Sequence, residues 1–215
     1  MSNMIITVGR QYGSGGRYVA RLLAEKLNIP FYDKELLAEV AKDSGICKEL
    51  LEEHDEKNSR SFLFSMMGGS QMSESSSMYL DMPLNHRIFL AQFDTIRRIA
   101  NEGPCVIVGR CADYVLRDQD NVLNVFIKAD KEERIRRIVE YYGADPLKAE
   151  EQLKKSDKQR AAYYNYYATG TWGDIGNYDL CVDTGALGIT GAVNVIARCA
   201  ELVELRKVQK DPEVW

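Results

Sequence analysis

Apolar positions along the chain fall into short runs alternating with longer stretches of helical spacing. Met4 to Val8, MIITV, is a short apolar run, and after a glycine cluster RYVARLLAEKLN sets Val19, Leu22, Leu23 and Leu27 at helical spacing, so the pattern predicts strand, tight loop and helix. IPFYD predicts a second short strand. KELLAEVAKDSG and CKELLEEHDEK both have helical periodicity, with Gly45 stopping the first, whereas residues 59–83, rich in Ser, Met and Gly, have no clean period and predict a mobile loop. RIFLAQFDTIRRIANEG resumes as an amphipathic helix stopped by Gly103 and Pro104. CVIVGR and NVLNVFIKA read as strands, with DKEERIRRIVEYYG as a helix capped by Asp130. DPLKAEEQLKKSDKQRAAYYNYYATG reads as a long helix with Asp145 at its N-cap and Pro146 in its first turn. YDLCVDTG is then a last strand, and Ile189 to Val208 a closing helix.

Strands alternating with helices imply an α/β fold, a mainly parallel sheet flanked by helices on both faces, because parallel neighbours need crossover connections. Ligands in such folds bind beyond the carboxyl ends of the strands, and the two most suggestive loops, at Gly9 and Gly109, both begin there. A chain of 215 residues suffices for one domain, 1–215. A net charge of −4 argues against a general nucleic-acid binder and against an acidic-membrane binder, leaving small anionic ligands. The start of the chain has no secretory pattern and no run of about 18 apolar residues occurs, so a cytoplasmic protein without membrane insertion is expected. Cys47, Cys105, Cys111, Cys181 and Cys199 are scattered without a CxxC pair and read as reduced thiols. His54 and His86 stand alone and read as surface or capping imidazoles.

The chemistry concentrates in VGRQYGSGGRYVA. Glycines let backbone N–H groups converge on anionic oxygens, and the following helix adds the positive end of its dipole. Gly13, Ser14, Gly15 and Gly16 meet that need. The common phosphate-loop pattern GxxxxGK[ST] nevertheless fails in every register. With Gly15 as its last glycine, Gly16 stands in the lysine's place; with Gly16 as the last, Arg17 replaces the lysine and Tyr18 the metal-binding hydroxyl. The cationic charge then falls to a guanidinium, from Arg17 or from Arg10 across the loop, and a planar fork must contact phosphate differently from a compact ammonium. No metal ligand can be named, since Ser14 lies inside the loop and Asp113 could act only through an intervening water.

The chain resembles the cytidylate-kinase-like family, a branch of the nucleoside monophosphate kinases. The resemblance runs over nearly the whole length, through GRQYGSGGRYVARLLAEKLNIPFYDKELL, VIVGRCADYVL, NVFIKADKEERIRRI, SDKQRAAYYNYY and WGDIGNYDLCVDTGALGI. It implies a P-loop kinase type of fold with a helical lid at 143–175 and an acceptor-binding region at 45–102. It also implies ATP as phosphoryl donor with Mg2+, and small-molecule nucleotides as partners; a homo-oligomer is left open. In cytidylate kinases the strand matching VIVGRC ends in Gly-Arg-Asp, which contacts the acceptor; Gly109 and Arg110 match, while Cys111 replaces the aspartate and Asp113 lies nearby. Asp33 falls where these kinases carry an aspartate on the acceptor side, a position a helix N-cap would explain equally. Arg87 is a further acceptor-phosphate candidate.

The resemblance maps Asp157 and Arg160 onto the D-x-x-R of the lid, with Lys154 a turn back. Arg134 and Arg137 share a helix face and are candidates for phosphate contact, Arg136 less so. Tyr163, Tyr164, Tyr166 and Tyr167 could pack or stack on a base. Two functions follow: ATP-dependent transfer to a nucleoside monophosphate, CMP or another pyrimidine nucleotide, or a nucleotide- or phosphate-binding regulatory protein in which the missing lysine has silenced transfer.

Overall fold

The computed structural model describes residues 4–33 and 84–209. The helices expected in KELLAEVAKDSG and CKELLEEHDEK, the loop 59–83, Cys47 and His54 lie outside these residues, as does the side chain of Arg87. Five strands form one parallel sheet: β1 (Ile5–Arg10), β2 (Phe31–Tyr32), β3 (Val106–Val108), β4 (Val122–Lys128) and β5 (Leu180–Asp183), in the order β2-β3-β1-β4-β5. β1 is central, with Val8 opposite Val108 on one side and Val125 on the other.

Period-two alternation in β1 gives each sheet face its own core. Met4, Ile6 and Val8 point to one side, against Val19 and Leu23 of α1 (Gly16–Leu27) and Ile196 and Ala200 of the last helix. Ile5 points to the other, where α2 (Leu84–Glu102) brings Ile96 and Ile99, and the short α3 (Ala112–Val115) brings Val115. α4 (Lys131–Tyr142) begins where expected, the Asp130 carboxylate accepting the Glu133 N–H at 2.7 Å.

α5 (Ala149–Tyr167) begins later than expected. Asp145 does not cap it: its carboxylate accepts the Leu147 N–H at 3.0 Å and its carbonyl the Lys148 N–H, closing a separate turn before the helix. That Asx turn satisfies the same donors a cap would, so the sequence signal is shared by both geometries. α6 (Thr184–Gln209) is broken at Gly188, whose φ of 66° leaves one turn after β5 and then the expected closing helix. Its stretch Thr184–Lys207 is long and apolar enough to cross a membrane by length and composition, but Ala192, Val193, Ile196, Ala197 and Ala200 are buried in the first core. Cys105, Cys111, Cys181 and Cys199 are free thiols, and burial raises Cys105 to about 12.

Candidate active site

The loop between β1 and α1 is held from several directions. The Ser14 hydroxyl donates to the Gln11 carbonyl at 2.8 Å and accepts the Gly16 N–H at 3.3 Å, so it shapes the loop from within. Below it, Arg137 of α4 donates through Nη1 to the Ser14 carbonyl (2.9 Å) and to Thr184 Oγ1 (2.7 Å), and through Nη2 to the Thr184 carbonyl (3.1 Å). Thr184 Oγ1 itself donates to the Ser14 carbonyl at 2.6 Å. One helical turn away, Arg134 donates through Nε to the Tyr12 carbonyl at 3.1 Å and pairs through Nη2 with Asp157 Oδ2 at 2.5 Å. The two arginines that share a face of α4 therefore both grip the loop's carbonyls. Arg136, on the other face, pairs with Glu133 and Glu140 in solvent.

The lid helix α5 lies across the strand ends. Asp157 Oδ1 accepts the Tyr12 N–H at 2.7 Å, Arg160 Nη1 donates to the Arg10 carbonyl at 3.2 Å, and the Tyr164 hydroxyl donates to Asp113 at 2.5 Å. Between lid and sheet is a cavity lined by Arg10, Arg110 and Arg160, by the rings of Tyr163, Tyr164, Trp172 and Tyr178, and by Cys111 and Asp113. Its volume of about 40 Å³ holds a few water molecules and no nucleotide.

The floor of the cavity is strained. Gly109, Arg110 and Cys111 have φ of 75°, 59° and 54°, three successive left-handed residues, two of which are not glycine. Such residues cost on the order of 1–3 kcal/mol each and persist where the surroundings hold them, commonly at functional sites. Burial pulls the Arg110 pKa below its usual value; Arg10 acts in the same direction, with Tyr163 and Asp33 opposing. Burial likewise raises Asp113 above the usual carboxylate range against the Tyr164 hydrogen bond, and raises Asp157 against the Tyr12 N–H and Arg134. A buried arginine with two more arginines lining the same cavity, beside a carboxylate whose neutral form burial favours, is an arrangement that suits an anionic ligand.

Other sequence candidates fall elsewhere. Arg17 turns away from the cavity and donates through Nε to the Asp33 carboxylate, its side chain 49% exposed against 10% for Asp33. Both thus meet one another. Arg17 and Tyr18 border a second, open recess of about 740 Å³, with Gly13, Gly15, Arg137 and Ile189 among its lining. Tyr18 is exposed, with Arg21 over its ring. Lys154 pairs with Glu150 on the outer face of α5. Among the tyrosines, Tyr164 and Tyr163 reach the cavity, Tyr167 stacks on Phe89 at 3.9 Å, and Tyr166 is exposed. His86 lies 6.2 Å from the Tyr167 ring. Tyr12 and Thr184 were not singled out from the sequence, although Thr184 directly follows a predicted strand in VDTG, the position where this fold puts ligand contacts. Trp172 and Tyr178, both within WGDIGNYDL, join the cavity wall with no sequence pattern to mark them.

For a magnesium ion the fit is poor. Ser14 Oγ is engaged at both its donor and acceptor sides, and among the described residues no group of three His, Cys, Asp or Glu side chains could hold a metal. The described side chains therefore supply no direct ligand set.

A central parallel strand running into a glycine loop and helix, with α5 across the strand ends, is the P-loop kinase type of fold. The shikimate kinase of Bacteroides thetaiotaomicron has this fold, with a TM-score of 0.52 at 14% identity, covering 92% of this chain and 98% of that one. The chain belongs to the cytidylate kinase-like family, whose model matches residues 5–186. The cytidylate kinase of Methanococcus vannielii is 26% identical over 200 residues, 91% of this chain and 98% of the relative. That of Archaeoglobus fulgidus is 25% identical over 213 residues, 96% and 100% of the two chains. An uncharacterized protein from Eubacterium ventriosum has a crystal structure similar at a TM-score of 0.70 and 34% identity, covering 92% of this chain and 98% of its own.

Proposed function

We propose that this chain is a nucleoside monophosphate kinase that transfers the terminal phosphoryl group of ATP to CMP or another pyrimidine nucleoside monophosphate. The observation that carries the reading is the convergence of Arg10, Arg110 and Arg160 on one cavity beside the glycine loop. They come from the end of β1, the end of β3 and the lid, so an anion placed among them would meet three guanidinium groups. Phosphoryl transfer is largely positioning and charge neutralisation in a water-poor cleft, which this arrangement provides.

In this reading the triphosphate lies along the glycine loop, its base in the open recess beside Arg137 and Ile189. The acceptor phosphate sits against Arg110, with its base toward Asp113 and the tyrosine wall. The acceptor's phosphate oxygen attacks the γ-phosphorus, and the bond from that phosphorus to the β–γ bridging oxygen breaks. The products are ADP and a nucleoside diphosphate. Asp157 must release the Tyr12 N–H for the loop to receive phosphate, while Arg160 follows the lid. Arg87, within 45–102, and Asp33, ahead of that region, belong to the acceptor side, and 143–175 is the moving lid. Mg2+ carried in on ATP would add to the neutralisation of phosphate charge.

One observation favours a second reading, a nucleotide-binding regulator with little transfer: the Asp157 carboxylate already occupies a loop amide. Incubation with ATP, Mg2+ and each common nucleoside monophosphate, followed through ADP formation, separates the two. Acceptor-stimulated ADP supports the kinase. No stimulation by any acceptor, with ATP still raising the melting temperature, supports the regulator.

A further inference from the structure

The sequence leaves two arginines to stand in for the loop lysine, and the backbone geometry around two glycines decides between them. A Cβ placed on Gly16 would lie 2.6 Å from Arg10 Cβ and 3.2 Å from Arg10 Cγ. The Arg10 stem therefore crosses the spot from which a lysine at position 16 would have to leave the backbone. A Cβ placed on Gly109, at a φ of +75°, would fall within the contact radius of Arg10 Nη1 and 3.2 Å from Cζ. The head of the same side chain therefore rests on the backbone of the β3 end, next to Arg110. Arg10 thus runs from the start of α1, where the donor phosphates sit, to the strand-end motif that faces the acceptor. Arg17 runs the other way, to Asp33, and is half exposed.

We propose, resting on the kinase reading above, that Arg10 is the catalytic cation of this enzyme. Its guanidinium spans donor and acceptor phosphates and replaces the P-loop lysine, while Gly16 and Gly109 are the positions whose missing side chains admit it. Arg17 and Asp33 form a positioning pair at the start of α1. The replacement is an exchange of origins: charge delivered from the strand below the loop in place of charge delivered from the helix above it. Because the two stems occupy the same space, Gly16→Lys in the wild-type background cannot add a second cation and must displace the first.

The test is a small set of variants assayed for kcat, for KM of each substrate and for ATP affinity by calorimetry, with melting curves for every protein. Arg10→Gln is expected to lower kcat about a hundredfold or more, given that a guanidinium at this kind of transition state is worth roughly 10³–10⁵ in rate. Arg17→Ala is expected to cost at least about tenfold less, in kcat, than Arg10→Gln. Gly16→Lys by itself is expected to lower kcat. The double variant Arg10→Gly with Gly16→Lys, in which the stem is removed as the lysine is introduced, is expected to exceed Arg10→Gly by about tenfold. Arg10→Gln within about threefold of wild type, or an Arg17→Ala loss equal to it, overturns the assignment. Should the wild-type protein transfer phosphate to no monophosphate, the kinase reading fails, and ATP affinity then decides the role of Arg10. A weakening of about tenfold in Arg10→Gln and not in Arg17→Ala sustains it as the phosphate-binding cation; equal affinities remove it. Arg10→Gln keeps the stem, so the comparison stands even where Arg10→Gly is too unstable to purify.

Discussion

Replacing Arg137 by alanine tests how the glycine loop is held. Its side chain is 9% exposed, and its guanidinium makes hydrogen bonds to the Ser14 carbonyl at 2.9 Å, Thr184 Oγ1 at 2.7 Å and the Thr184 carbonyl at 3.1 Å, plus an ion pair with Glu133 at 2.8 Å. Glu133 is partly buried and keeps Arg136 as a partner after the truncation, so this ion pair adds little to the difference. The buried bonds weigh more, because truncation leaves acceptors inside the protein. The Ser14 carbonyl keeps the Thr184 hydroxyl as a donor, so one buried carbonyl, that of Thr184, loses a charged donor together with the packing of the arginine stem. A charge-assisted hydrogen bond is worth roughly 1.5–3 kcal/mol, and an unsatisfied buried acceptor costs on the order of 1–3 kcal/mol. These overlap, so the variant is expected to lose about 3 kcal/mol. At about 2–4 °C per kcal/mol for a chain of this size, the melting temperature should fall by roughly 6–12 °C. Urea unfolding gives the free energy and thermal melting the shift. Arg136→Ala is the control: that residue pairs with two glutamates, one more than Arg137, but in solvent, and its removal should leave the unfolding midpoint unchanged. A loss below about 1 kcal/mol for Arg137→Ala, or an equal loss for Arg136→Ala, would refute the argument that the buried carbonyls, and not the count of ion pairs, set the energy.

Further expectations follow from the cleft and the core. Burial raises the Asp113 pKa, so between its ordinary and its raised value the folded chain holds more protons than the unfolded one, and stability falls as pH rises through that window. Asp113→Asn keeps an acceptor for the Tyr164 hydroxyl and should flatten this slope in unfolding midpoints measured against pH; an unaltered slope excludes Asp113 as its source. Tyr164→Phe removes the hydroxyl that donates to Asp113 at 2.5 Å and should cost about 1–3 kcal/mol, read by urea unfolding; no loss would mean water takes over the contact. In steady-state assays, Arg110→Ala should raise the acceptor KM far more than the ATP KM, and an equal rise in both would place Arg110 outside the acceptor site. Leu23→Ala, in the core between α1 and the sheet, should cost about 2–5 kcal/mol by denaturant unfolding, and a cost under 1 kcal/mol would contradict its burial.

The pattern of apolar runs was enough to place each described strand and to foresee a parallel sheet, but not the order β2-β3-β1-β4-β5 within it. Asp130 was readable as a cap because its donors lie three residues away, within the reach of local sequence. Asp145 was misleading for the same reason: an aspartate before a proline satisfies an isolated turn as well as a helix start, and packing of α5 on the strand ends selects the later start at Ala149. The pairing of Arg134 and Arg137 on one face was visible from their spacing. Their targets were not, since the bonds to Tyr12 and Ser14 close over separations of more than a hundred residues.

The primary structure by itself determined the order of elements, the two-faced sheet and the position of a glycine loop at a strand end, because these rest on periodicity and on backbone freedom within a few residues. It also carried the family resemblance. Which arginine enters the cavity was decided only by tertiary structure. Arg10 and Arg17 are near neighbours in the chain with the same chemistry, and what separates them is the direction in which each leaves the backbone: past Gly16 and Gly109 for one, toward the Asp33 carboxylate for the other. Direction in space is a property of the assembled sheet and loop, and no local pattern of residues contains it.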